Sequence, residues 1–287
     1  NEGTWKTVRC NEDGDVTKLG LISCGLVGEL PVALRYFTQM VTLDLDSNSL
    51  TGTLPVEWSS MTQLTYLWLS SNKLTGTLPV EWSSMTQLTK LYIQSNQLTG
   101  TLPVAWSSMT QLTGLALDRN TLTGTLPVEW SSMTQLTTLQ LETNSLSGAL
   151  PASWSSMAQL YILSIYENQL NGTLPKSWST FTKLRTLQFY QNKLTGTIPV
   201  AWKNMTSLVD LELHDNQLTG EIPAFLLNLT ELQQLDLTNN AFTGAPLAAA
   251  FNAPSLQLLQ LGNNSFTGTI TPTFGTDAPK LVTLLLQ

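Results

Sequence analysis

Along most of the chain the apolar residues fall in a pattern that returns every 24 residues. In the stretch Leu64 to Gln87, LTYLWLSSNKLTGTLPVEWSSMTQ, Leu67 and Leu69 alternate with Tyr66 and Trp68. That period of two predicts a short strand with its leucines inward. Asn72 follows where the chain must turn; then Leu74 and Leu78 point in, Gly76 permits a bend and Pro79 ends strand pairing. Trp82 and Met85 stand three residues apart, which predicts one 3₁₀ or helical turn on an outer wall. The pattern recurs with leading residues Met40, Leu64, Leu88, Leu112, Leu136, Leu160, Leu184, Leu208, Leu232 and Leu256, and a weaker copy begins at Val16.

A fixed period of this length with L-x-x-L-x-L-x-x-N-x-L is the leucine-rich repeat signature. The expected fold is an α/β repeat, a right-handed solenoid of 24-residue repeats with a concave parallel β-sheet and a convex wall of 3₁₀ or short helical turns. No repeat buries its apolar side chains without its neighbours, so residues 16–287 are expected to form one solenoid of about eleven repeats plus a truncated last strand. Residues 1–15 do not fit the pattern and read as an amino-terminal cap, with a strand from Thr4 to Cys10, a turn at Asn11 to Gly14 and a strand returning from Val16. Lys280 to Gln287 reads as the first strand of a further repeat with no cap over it, which implies that the natural chain continues.

The polar position that never varies is the turn asparagine: Asn48, Asn72, Asn96, Asn120, Asn144, Asn168, Asn192, Asn216, Asn240 and Asn264. An Asn side chain both accepts and donates, so stacked copies form a ladder that satisfies the buried turns. Trp58, Trp82, Trp106, Trp130, Trp154, Trp178 and Trp202 form another column, with Met three residues on in every copy but one, where Phe181 replaces it. Such a stripe serves either as a ligand platform or as filling beneath the outer wall, and its inward position favours filling. A Cys10–Cys24 disulfide is disfavoured by the cap hairpin, which sets Cys10 near Val16 and Cys24 about eight residues further along, beyond the ~7 Å reach between Cα atoms. Cys24 occupies the ladder position and reads as a buried stand-in for Asn.

Composition narrows the function. With 13 basic and 20 acidic residues the net charge is −7, which argues against nucleic acid or an anionic membrane as partner. No apolar run reaches the ~20 residues of a membrane span, so membrane association would come only through an anchor outside this chain. Few charges and abundant Thr and Ser suit an extracellular or cell-surface location, and the sequons at Asn171, Asn204, Asn228 and Asn263 agree with it. The single histidine excludes a metal cluster, and neither a cofactor motif nor a phosphate-binding loop is present. His214 beside Asp210, Glu212 and Asp215 is the one grouping with any catalytic likeness, and it reads as an exposed His on an acidic strand. The chain is therefore expected not to be an enzyme.

The strand positions facing away from the core vary while the core does not, as a recognition surface on a fixed scaffold would. They collect two aromatic patches, Tyr66, Trp68 and Tyr92, then Tyr166, Tyr190 and His214 beside Ile162. Asp118, Glu142, Asp210 and Glu212 stand alongside, so the expected partner is a protein with a basic surface, bound on the concave face. The alternative is that scattered aromatics merely suit strands. A second surface consists of outward Thr pairs such as Thr51/Thr53, Thr75/Thr77, Thr99/Thr101 and Thr123/Thr125, which stack in rows like those of an ice-binding solenoid.

L-x-G-x-[LI]-P within a 24-residue repeat resembles the plant-type repeat of receptor kinases and inhibitor proteins. The Trp-Ser-x-Met segment of TLPVEWSSMTQL resembles the promastigote surface antigen family of trypanosomatids, strongly from Val16 to about Met205, and W-x-x-V-x-C from Trp5 to Cys10 resembles that family's cap. The resemblance implies a secreted or lipid-anchored surface glycoprotein that binds host receptors or serum factors. It also implies a Cys before Cys10 as its disulfide partner, which is absent here. A plant-type receptor ectodomain or inhibitor is the alternative.

Overall fold

The computed structural model describes residues 8–287. The chain divides into two compact units, residues 1–145 and 146–287. The first opens with the antiparallel pair Val8–Cys10 and Val16–Gly20, where Cys10 faces Val16 as the hairpin predicts. Asn11 closes the turn: its carbonyl accepts from Gly14 N–H and its side-chain oxygen from Asp15 N–H. The cap's expected beginning, from Thr4 through Trp5, lies outside the described residues.

Parallel strands then follow at one per repeat: Thr42–Asp44, Tyr66–Trp68, Lys90–Tyr92, Gly114–Ala116 and Thr138–Gln140. The second unit continues the pattern with Ile162–Ser164, Thr186–Gln188, Asp210–Glu212, Gln234–Asp236, Leu258–Gln260 and Thr283–Leu285. The register is always residue to equivalent residue, Tyr66 opposite Lys90 or Gln188 opposite Glu212, so every strand position becomes a column. Between the last two strands the offset is 25, Leu259 opposite Leu284, and the chain takes a single α-helical turn at Phe274–Asp277 instead of a 3₁₀ turn.

Opposite the sheet, 3₁₀ turns such as Val56–Ser60, Val80–Ser84 and Val104–Ser108 begin right after a proline whose φ of about −68 already suits the turn. Their tryptophans are fully buried, as are Met61, Met85 and Met109. Each such Leu or Met removed from water contributes about 1.5–3 kcal/mol. The indole N–H does more than fill space. Trp82 donates to the Pro55 carbonyl at 2.9 Å and Trp106 to the Pro79 carbonyl at 2.9 Å, which ties each turn to the one before it. Where Leu226 replaces Trp the turn shortens to three residues, Leu226–Asn228, and Ala248 to Ala250 of the following repeat lie exposed with no helical turn formed.

The asparagine ladder forms within each unit, from Asn48 to Asn144 and from Asn168 to Asn264. Asn72 Oδ1 accepts from Leu50 N–H of the preceding repeat at 3.0 Å, while Nδ2 donates to the carbonyls of Leu45, Leu69 and Ser70. Asn216 does the same with Leu194, Phe189, Leu213 and His214. The residue before each ladder Asn adopts a left-handed φ without being glycine, from Ser47 at 57° to Asn263 at 50°. Nothing in the hydrophobic pattern announces this; the turn geometry imposes it. Gly76 earns its place twice, with φ at +79° and with the Thr53 methyl 2.7 Å from where a Cβ would stand.

Two expectations need correcting. Cys24 does stand at the ladder position, where its N–H donates to Asn48 Oδ1, but it is exposed and not buried. The Thr rows are offset: Thr53 bridges to Thr75 and Thr77 to Thr99, so the second Thr of one repeat meets the first of the next.

Candidate functional site

The strand face collects the side chains that the core has no use for. In the first unit Tyr66 and Trp68, two residues apart on one strand, stack with centroids 5.4 Å apart at 26°. Register places Tyr92 beside Trp68 and Lys90 beside Tyr66. Both Lys90 and Tyr92 lean over Gly114, where a Cβ would stand 2.7 Å from the Tyr92 hydroxyl and 2.8 Å from Lys90 Cδ. The front-patch residues thus lie side by side, with the Lys90 cation among them. Partial burial raises the Tyr92 pKa and lowers that of Lys90.

Asp118 and Glu142, expected to select a basic partner, are on this face but sunk into it, each about 4% exposed. Burial raises both pKa values, and Glu142, next to Asp118, is pushed up to about 7. Glu142 Oε1 lies 3.5 Å from the Gln140 amide, whereas Oε2 has no hydrogen-bond partner. Asp44 and Asp46 are raised by burial as well.

In the second unit Tyr166, Tyr190 and His214, successive in one column, form a stack with centroid spacings of 4.1 and 4.3 Å and planes within 11°. Burial, then the Tyr166 hydroxyl, then the Glu212 charge hold the Tyr190 phenol well above its usual range. His214 is not freely exposed: its side chain is 20% accessible, with Nδ1 3.4 Å from Asp236 Oδ2 and Nε2 3.9 Å from Asp215 Oδ2. The first of these distances is close enough for attraction but misaligned for a hydrogen bond, since Nδ1 has no hydrogen-bond partner. Gln188 donates to Asp210 Oδ2 at 2.9 Å and approaches Glu212 Oε1 at 3.4 Å, and Ser164 donates to Gln188 Oε1. Asp210 is pushed up to about 7 by burial and by Glu212 beside it. Gln188, Ser164 and Asp236 were not among the expected site residues; their column neighbour Glu212 was the available signal.

The four sequon asparagines are exposed. Two have their amide nitrogens engaged, Asn228 with the Ala224 carbonyl at 2.8 Å and Asn263 with Asn239 Oδ1 at 2.7 Å. Among the described residues no group of three or more His, Cys, Asp or Glu is placed to hold a metal ion, and no helix is long and apolar enough to cross a membrane.

Family profiles described as leucine rich repeat match residues 38–98, 86–146, 149–218 and 255–276. No curated protein matches the chain. Among solved structures it is similar to a TDR receptor, at 31% identity and TM-score 0.83 over 91% of this chain and 44% of that one. It is similar also to the Arabidopsis receptor kinase HAESA in complex with the peptide hormone IDA and the co-receptor SERK1, at 28% identity and TM-score 0.83 over 97% and 52%. A plant ice-binding protein matches at 25% identity and TM-score 0.76 over 92% and 86%. The chain spans about half the length of these two receptors.

Proposed function

The chain belongs to the leucine-rich repeat family, and from that premise we propose that it is a non-enzymatic recognition module that binds a basic peptide or protein segment along the strand face. One observation carries the reading: the Tyr166–Tyr190–His214 stack has no part in the repeat's own packing. The ladder, the leucines and the tryptophan column close the core without it. Half-buried aromatics held by their neighbours lose little entropy when a partner arrives, which suits them as anchors. The HAESA complex, whose ligand is a peptide hormone, supports the ligand class.

The reading places the protein outside the cell, in keeping with its low charge content and exposed sequons. A surface antigen that engages host receptors or serum factors and a plant-type receptor ectodomain both fit it. The Trp-Ser-x-Met segment favours the former as a sequence resemblance, yet its Trp and Met are spent entirely on the core and carry no ligand.

The test is selection from a displayed library of random 12-residue peptides, followed by affinity measurement of an enriched synthetic peptide. The Tyr166→Ser/Tyr190→Ser variant should bind it at least ten-fold more weakly, about 1.4 kcal/mol, with a nearly unchanged melting temperature. Failure to enrich any saturably binding peptide would overturn the reading, as would an equal loss from Val80→Ser/Val104→Ser on the outer wall.

A second reading, ice binding, has its own observation: the exposed, bridged Thr rows of the first unit, together with the likeness to a plant ice-binding protein. Against regularity, the Thr75, Thr99 and Thr123 hydroxyls donate to glycine carbonyls at 3.2 Å and so point along the stack. An ice-recrystallisation assay with and without Thr77→Leu/Thr101→Leu decides it.

A further inference from the structure

In the second unit the repeat position that carries Tyr166, Tyr190 and His214 goes on to Thr238 and Gly262. The ring stack thus stops at His214, although the scaffold continues at strand spacing, about 4.8 Å. The place of a fourth ring lies over Thr238, against the face of His214 turned away from Tyr190. That place is edged by acids. Asp236, the last residue of its strand and two before Thr238, holds Oδ1 on the Thr238 N–H at 2.9 Å and Oδ2 at 3.4 Å from His214. On the turn side stands Asp215, fixed by a 2.6 Å bond from Asn239. In the three strand columns of this unit no Lys or Arg is present to neutralise these acids.

We propose that the face of His214 turned away from Tyr190, over Thr238 and between Asp236 and Asp215, is a subsite for one arginine side chain of the bound segment. A guanidinium is planar, so it continues the stack at the spacing of its rungs, and its edge carries N–H donors on both sides for the two carboxylates. A lysine ammonium offers the charge without the plane, and an aromatic ring offers the plane without the charge. The subsite rests on the strand-face reading above and specifies what that face selects.

His214 is the only histidine in the chain, so its ring protons give an isolated pair of proton NMR signals. The experiment titrates the full chain with three probe peptides, Gly-Gly-Arg-Gly-Gly and its lysine and citrulline counterparts, at two salt concentrations. The arginine peptide should shift the His214 signals saturably, with an affinity at least ten-fold above the lysine peptide and with no saturable shift from citrulline. Thr238→Phe fills the place with a ring at a position where the chain already carries tyrosines, and Asp236→Asn removes a carboxylate while keeping its shape. Both should reduce arginine affinity ten-fold or more with the melting temperature kept. Equal response to arginine and lysine, saturable binding of citrulline, or an undiminished response in Thr238→Phe would overturn the subsite. Loss of library-peptide binding in the Tyr166→Ser/Tyr190→Ser variant together with a failed titration would refute this subsite alone. A successful titration with no effect of that double variant would refute the wider reading alone.

Discussion

Glu142 offers the most direct test of the physical picture, because its burial should be legible in the stability of the whole protein. Its carboxyl is about 4% exposed, Oε2 has no hydrogen-bond partner, and burial with Asp118 alongside raises its pKa from 4.5 to about 7. A carboxyl whose pKa is higher in the folded state binds its proton more tightly there than in the unfolded chain. Its contribution to stability is therefore fully present below pH 4.5 and is lost as the pH rises through 7. Each pH unit between the two values is worth about 1.4 kcal/mol, so the native state should lose roughly 3 kcal/mol on this account between pH 4.5 and 8.

Glu142→Gln keeps the shape and removes the titration. Urea unfolding followed by circular dichroism at pH 4.5, 6 and 8 should show a variant of nearly wild-type stability at the acid end. At pH 8 it should be more stable than wild type by about 2–3 kcal/mol. Asp210, pushed up to about 7 in the second unit, contributes a slope of the same sign, so the variant should retain part of the pH dependence. Identical pH profiles for wild type and variant would refute the buried, strained state of Glu142. A variant less stable than wild type at pH 8 would show that the carboxylate has a partner and is held by it.

Asn120→Ala strands Leu98 N–H and removes the donor to the Ile93, Leu117 and Asp118 carbonyls, and should destabilise by about 3 kcal/mol in urea unfolding. Amide exchange should quicken mainly in the repeats around it, since each repeat leans on its neighbours. Gly76→Ala should cost about 1–3 kcal/mol from the left-handed φ and the contact with the Thr53 methyl, and Thr53→Ala should recover part of it in a double-mutant cycle of melting temperatures. In a glycosylating host, peptide mass mapping should find glycans at Asn171 and Asn204 in preference to Asn228 and Asn263, whose amide nitrogens are engaged.

The fold was legible because a period repeated many times averages out local ambiguity: a single L-x-L triplet says little, but equivalent leucines one repeat apart must stack. The ladder was legible for the same reason. What stayed hidden lies at the atomic level of each turn. The indole N–H bonds from Trp to the preceding Pro, and the left-handed residue before each Asn, belong to geometry that residue identity does not encode: Ser71, Arg119 and Glu167 share one φ. Columns could be written down from spacing alone, but depth could not. Asp118 and Asp46 occupy the same repeat position, yet the first is buried and the second half-open. Cys24 likewise stands at the ladder position yet is exposed.

The distribution of imperfect packing separates the two surfaces of each repeat. Among the described residues the buried side-chain polar atoms without a partner are Ser70 Oγ, Gln94 Oε1, Glu142 Oε2, Asp210 Oδ1 and His214 Nδ1, and every one lies on the strand face. The outer wall, built from the same repeat, satisfies its indoles and its serines by bonds to the preceding turn. A sequence shaped by folding alone would have replaced these side chains, since each unmet buried group costs about 1–3 kcal/mol and an apolar substitute would fit. Their retention on the one face that varies between repeats is expected if an incoming partner supplies the missing bonds. On the reading proposed above, binding would gain both the new contacts and the relief of the old deficit, with the acids at this face receiving a basic ligand.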